Sequence, residues 1–133
     1  MARRIQITFD CADPSALAEF WARALGYIEQ PPPAGCATWT EHFAANDLPV
    51  PEEGAISAIV DPDGIGPRLL FMKVPEGKLA KNRVHLDIPA GEGRSAEARR
   101  LVALGGTLVR NVKADAGGWI VMLDPEDNEF CLT

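Results

Sequence analysis

Two positions apart on a short β-prone run stand His85 and Asp87, an imidazole and a carboxylate that strand alternation places on one face. A pair of this kind can orient the imidazole or share general acid–base work. A hydrogen-bonded histidine beside a strand-end aspartate explains the same residues without chemistry. A second run carries Gln6, Thr8 and Asp10 at the same alternation. Cys131, near the C-terminus, offers a thiol, although a cysteine on a last strand is more often an inert small hydrophobe. The other histidine, His42, lies between Trp39 and Phe43, whose i, i+4 spacing predicts a short helix. That helix is either a lid with Trp39 on a ligand or a packing stripe. Trp119, after Gly117 and Gly118, reads as a cavity wall or an interface residue. No Gly-x-Ser-x-Gly elbow, Walker loop or GxGxxG after a strand is present, so nucleophilic-serine and phosphate-loop chemistry have no support.

The elements that must hold these residues come in two copies. Arg4–Asp10 and Arg83–Pro89 are both β-prone, and each leads into a helical pattern that ends in Leu-Gly. Gln6 to Gly26 and His85 to Gly105 span the same 20 residues. The first helix carries Leu17, Phe20, Trp21, Ala24 and Leu25 on one stripe, with Asp13 as N-cap, Pro14 as first residue and Gly26 as stop. The second carries Ala98, Leu101 and Val102 and stops at Gly105-Gly106. A third landmark is an acidic, proline-containing turn before an apolar strand: Asp61-Pro62 before 69–74, and Asp124-Pro125 before 130–132. The first copy holds 16 more residues before its turn, housed in the insertion 30–54.

Composition sets the outer limits. At 133 residues, 47% hydrophobic and 24% charged, the chain suits one globular domain. A net charge of −6 with scattered Lys and Arg argues against nucleic acid. No apolar run resembles a signal peptide or a membrane span, and three unpaired-looking cysteines point to a reducing cytoplasm.

The order β-α-β-β-β twice, with CADPSALAEFWARALGY after the first strand, NRVHLD opening the second half and DPEDNEFCLT closing it, resembles the glyoxalase-like branch of the glyoxalase/bleomycin-resistance (vicinal oxygen chelate) superfamily. The resemblance implies an α+β fold, two βαβββ modules (1–76 and 82–133) forming curled mixed sheets around a cup, in one domain over 1–133. It also implies a small-molecule ligand and a homodimer, and unpaired strand edges would need covering in any case. Metal-dependent relatives place one ligand on the first and one on the last strand of each half. Carried across, these positions are Gln6, Leu70, His85 and Cys131. Both expected carboxylates are missing, so the usual metal site is not expected. Gln6, His85 and Cys131 remain as residual ligands for a divalent ion such as zinc, nickel or iron. Glu129 shares the face of Cys131 but lies too far along the strand to replace the missing ligand.

The expected ligand-binding set is Gln6, Thr8, Trp39, Leu70, Met72, Trp119 and Cys131, with His85 and Asp87 as the catalytic candidates. Three functions stay open. The first is a metal-independent small-molecule binding protein. The second is a lyase or isomerase using His85 with Asp87 or a non-standard metal site, and the third a non-catalytic association domain.

Overall fold

The computed structural model describes residues 1–115 and 117–133. The chain forms two compact units, Met1–Pro75 and Glu76–Thr133. Each contains one four-stranded mixed sheet with a helix on one face, an α+β arrangement.

In the first unit, β1 (Gln6–Cys11) leads into α1 (Pro14–Leu25), followed by β2 (Ile28–Glu29), α2 (Trp39–Ala45), β3 (Ile56–Val60) and β4 (Arg68–Lys73). The strand order is β1-β4-β3-β2, with β1 parallel to β4 and the other pairs antiparallel. α1 starts where the sequence places it. The Asp13 side chain accepts from the Ala16 N–H, and Pro14 needs no donor at the first turn. It ends in a Schellman turn, with Gly26 at φ +71° and the Tyr27 N–H on the Ala22 carbonyl.

Leu17, Phe20 and Trp21 from α1 are buried with Leu69, Phe71 and Ile59 from the sheet. Phe9 adds to this core, its ring stacked on Phe71 at 5.2 Å and tilted against Trp21 at 5.5 Å. Odd-numbered residues of β1 and β4 therefore face the helix. The even-numbered set, Gln6, Thr8 and Asp10 beside Arg68, Leu70 and Met72, forms the opposite, open face.

The second unit repeats the plan with β5 (Leu86–Ile88), a 3₁₀ turn (Gly91–Gly93), α3 (Arg94–Ala103), β6 (Thr107–Ala114), β7 (Gly117–Leu123) and β8 (Glu129–Leu132). The order β5-β8-β7-β6 matches the first sheet strand for strand. Ala98 and Leu101 of α3 are buried, as are Ile120, Met122, Phe130 and Leu132 of the sheet. Val102, expected on the same stripe, is instead 45% exposed. One step beyond Leu101 turns it about 100° off the packed line. Gly105 and Gly106 close the helix, the Gly106 N–H reaching the Leu101 carbonyl.

The proline-containing turns owe their shape to aspartate. Asp61 accepts backbone N–H bonds from Asp63, Ile65 and Gly66, at 2.7 to 3.1 Å. Asp124, 1% exposed, accepts from Glu126 and Asn128 backbone N–H groups and from the Asn128 side chain. The repeated Asp-Pro is thus a side-chain-templated turn in which Pro fixes φ and Asp supplies the acceptor.

Candidate functional site

The registers identify equivalent positions in the two units. Thr8 pairs with Leu70 across β1 and β4, and Asp87 pairs with Cys131 across β5 and β8. Leu70 and Cys131 are therefore the corresponding last-strand positions, two residues away from the offset that the Asp-Pro turns alone would give.

In the first unit, Arg68 dominates the open face. Its Nη1 donates to the Gln6 side-chain oxygen and its Nε to that of Gln30, both at 2.6 Å. Gln6 stands on the neighbouring strand, whereas Gln30 follows β2, two strands away. The guanidinium can lie across β3 because that strand presents the small Ala58 on this face. Desolvation draws its pKa below the ordinary arginine value.

Over the same face sits α2. Thr38 caps it through the Glu41 N–H, while Glu41 reaches back to the Ala37 N–H. The Trp39 indole donates to the Gln30 carbonyl at 3.1 Å. Trp39 also contacts the rings of His42 and Phe43. Between helix and sheet lies a cavity of about 250 Å³, walled by Trp39, Phe43, Val50, Ile56, Ala58 and Arg68. Glu29, Glu52 and Glu53 stand around it. A wider depression of about 680 Å³ lies between Arg3–Ile5 and the 61–67 turn, but it has no aromatic wall.

Of the first-half residues expected to bind ligand, Trp39 lines the cavity and Gln6 borders it through Arg68. Thr8, Leu70 and Met72 share the open face but lie outside the cavity lining. The cavity is centred on β3, and of the described β4 residues only Arg68, with its long side chain, lines it. Arg68 and Gln30 escaped the sequence reading. The alternation that selected Leu70 and Met72 extends directly to Arg68.

The second unit gathers a different set. The donor atoms of His85, Asp87 and Cys131 lie within 4.8 Å of one another. His85 Nδ1 is 3.5 Å from Asp87 Oδ1, with both side chains substantially exposed. The Cys131 thiol is half-buried, and desolvation first, then the charge and acceptor oxygen of Asp87, push its pKa up. Lys81 and Arg110 pull weakly the other way. Trp119 lies on the same face of the sheet, on β7, paired with Val112. Glu129 is committed elsewhere: it takes Lys78 Nζ at 2.9 Å and the Asn82 N–H at 3.0 Å. Desolvation alone would raise its pKa, but these bonds together hold the carboxyl down at about 2.

These arrangements do not fit the superfamily's usual metal centre. Leu70 has no donor atom, and the oxygen of Gln6 is bonded to a cation, Arg68. Of the residual ligands, His85 and Cys131 come together with Asp87, whereas Gln6 is engaged within its own unit.

The profile of the Glyoxalase-like domain family matches residues 6–133. The chain belongs to that family. Its fold is that of the glyoxalase/bleomycin-resistance proteins, as solved structures show. A possible glyoxalase from Bacillus cereus superposes with a TM-score of 0.66 at 17% identity, over 100% of this chain and 99% of that one. A genomically encoded fosfomycin resistance protein from Listeria monocytogenes gives 0.68 at 13% identity, covering 99% and 92%. The bleomycin-binding protein of Streptomyces verticillus, complexed with copper(II)-bleomycin, gives 0.56 at 14%, covering 100% and 98%. No curated protein matches the sequence. Among the described residues no helix is long and apolar enough to cross a membrane.

Proposed function

We propose that this glyoxalase-like chain binds a small organic molecule in the cavity beneath α2, without the metal centre usual for its superfamily. The observation that carries the reading is the cavity itself: about 250 Å³, in which an indole, a phenyl ring and aliphatic groups meet Arg68, Gln30 and three glutamates. It is smaller than most small-molecule sites, roughly 300–1,000 Å³, and combines apolar walls with several polar groups. The Gln6 and Leu70 positions support the metal-free part, because neither offers a free donor there. A bleomycin-binding protein and a fosfomycin resistance protein among the structural neighbours are consistent with ligand capture on this fold.

The test is a thermal-shift screen of apolar and amphipathic organic molecules, run with a chelator present. At least one class should raise Tm, and Trp39→Ala should weaken that ligand by about tenfold. Failure across a broad panel overturns the reading.

A second reading, favoured by the proximity of His85, Asp87 and Cys131, is a lyase or isomerase in which His85 and Asp87 exchange protons with substrate. In its metal form the same three side chains, one nitrogen, one oxygen and one sulfur donor, would hold zinc, nickel or iron. Metal analysis after reconstitution decides that form: below about 0.2 equivalents bound and no shift in Tm, it falls.

A further inference from the structure

We propose that the cavity beneath α2 is selective for a monocarboxylate on an apolar body, with the carboxylate on Arg68. This rests on the reading that the cavity binds a small organic molecule.

Three observations carry it. Arg68 is half-buried on the cavity wall, yet both of its hydrogen-bond partners, Gln6 and Gln30, are neutral amides. Among the described residues no carboxylate lies within ion-pair distance of it. The amides fix the guanidinium plane without neutralising it, and two of its five N–H donors are used. Bidentate contact with a carboxylate is the interaction that a held guanidinium makes best. Partial desolvation of a cation without a close counter-anion is also unfavourable, and an incoming anion relieves it. Desolvation has already moved Arg68 in the direction expected of such a cation.

The walls supply the second observation. Trp39 is fixed by its indole bond to Gln30, so its ring is presented to the cavity together with Phe43 and Ile56. An aromatic or branched aliphatic body fills such a space, and a bare inorganic anion does not.

The third concerns how much charge is tolerated. Glu29, Glu52 and Glu53 border the same cavity. Among the described residues Arg68 is the one cation in a lining that holds three carboxylates, so only a group seated directly on it is matched, and a second negative charge meets like charge alone. Dianions are selected against.

The experiment compares phenylacetate, its neutral amide and the dianion phenylsuccinate by calorimetry, with chelator present. Phenylacetate should bind about tenfold more tightly than phenylacetamide, and phenylsuccinate more weakly than phenylacetate. Arg68→Gln should bring phenylacetate down to the level of the amide. The double variant Glu52→Gln/Glu53→Gln, on exposed positions of the rim, should strengthen phenylsuccinate severalfold more than it strengthens phenylacetate. Equal binding of acid and amide by the native protein overturns the selectivity but leaves the cavity reading standing. No binding by any of the three, together with failure of the broad panel, overturns both. If Arg68→Gln does not fold, the acid-to-amide ratio and the rim variant still decide.

Discussion

Asp87 stands directly across from Cys131 in the parallel pairing of β5 with β8, and its carboxylate lies within 4.8 Å of the Cys131 sulfur. The contact joins two residues 44 positions apart, and it favours the protonated thiol over the thiolate. Half-burial acts in the same direction.

Asp87→Ala should therefore make Cys131 more reactive. It removes a negative charge and an acceptor, leaving Lys81 and Arg110 to favour the thiolate. Alkylation of Cys131 by iodoacetamide near pH 8 should accelerate on the order of three- to tenfold, read by peptide-resolved mass spectrometry. Cys11, which is buried, serves as the unchanged reference. An unaltered rate at Cys131 would show that Asp87 does not control the thiol.

Glu129 predicts how the protein meets acid. Its folded pKa of about 2 lies below the ordinary 4.5, so its bonds to Lys78 and Asn82 contribute fully above that ordinary value. The contribution drains away as pH falls from about 4.5 toward about 2. Glu129→Gln should cost about 1 kcal/mol at neutral pH and flatten the stability profile across that window. Urea unfolding at pH 7, 4 and 3 measures both effects, and parallel profiles for the two proteins would refute the assignment.

Asp124 should be the more sensitive of the two turn aspartates. Its carboxylate is buried and holds the Glu126 and Asn128 N–H groups together. Asp124→Ala leaves these without that acceptor and should cost about 2–3 kcal/mol in chemical unfolding. Asp61→Ala should cost less, since water reaches the N–H groups that it exposes. The reverse order would contradict the burial argument.

The ends of α1 offer a local check. Asp13→Ala should destabilise by about 1 kcal/mol through loss of the bond to the Ala16 N–H. Gly26→Ala should cost about 1 kcal/mol or more, because an added Cβ is strained at φ +71° although nothing lies within 4 Å to clash with it. Thermal unfolding measures both, and a neutral Gly26→Ala would show that the turn relaxes.

Much of this fold is local and was readable as such. Periodicity placed the apolar stripe of α1, Asp13 and Gly26 bounded it, and the paired Asp-Pro turns marked the repeat. Each signal arises from residues a few positions apart, where helix pitch and turn sterics act directly. The same alternation put His85 with Asp87, and the resemblance placed Leu70, which has no donor atom, at an expected ligand position.

The open face needed the tertiary structure. Arg68 became a site residue only when Gln6, 62 positions earlier, and Gln30, 38 positions earlier, converged on it. Likewise, the 30–54 insertion contains a short helix legible from Trp39 and Phe43, but where that helix lies depends on the indole bond to Gln30 and on small Ala58 beneath. Strand alternation assigns a residue to a face. Only the closing of the insertion onto that face decided that the cavity belongs to β3, α2 and Arg68 and leaves out Thr8, Leu70 and Met72, because enclosure is a property of several chain segments meeting, which no single segment encodes.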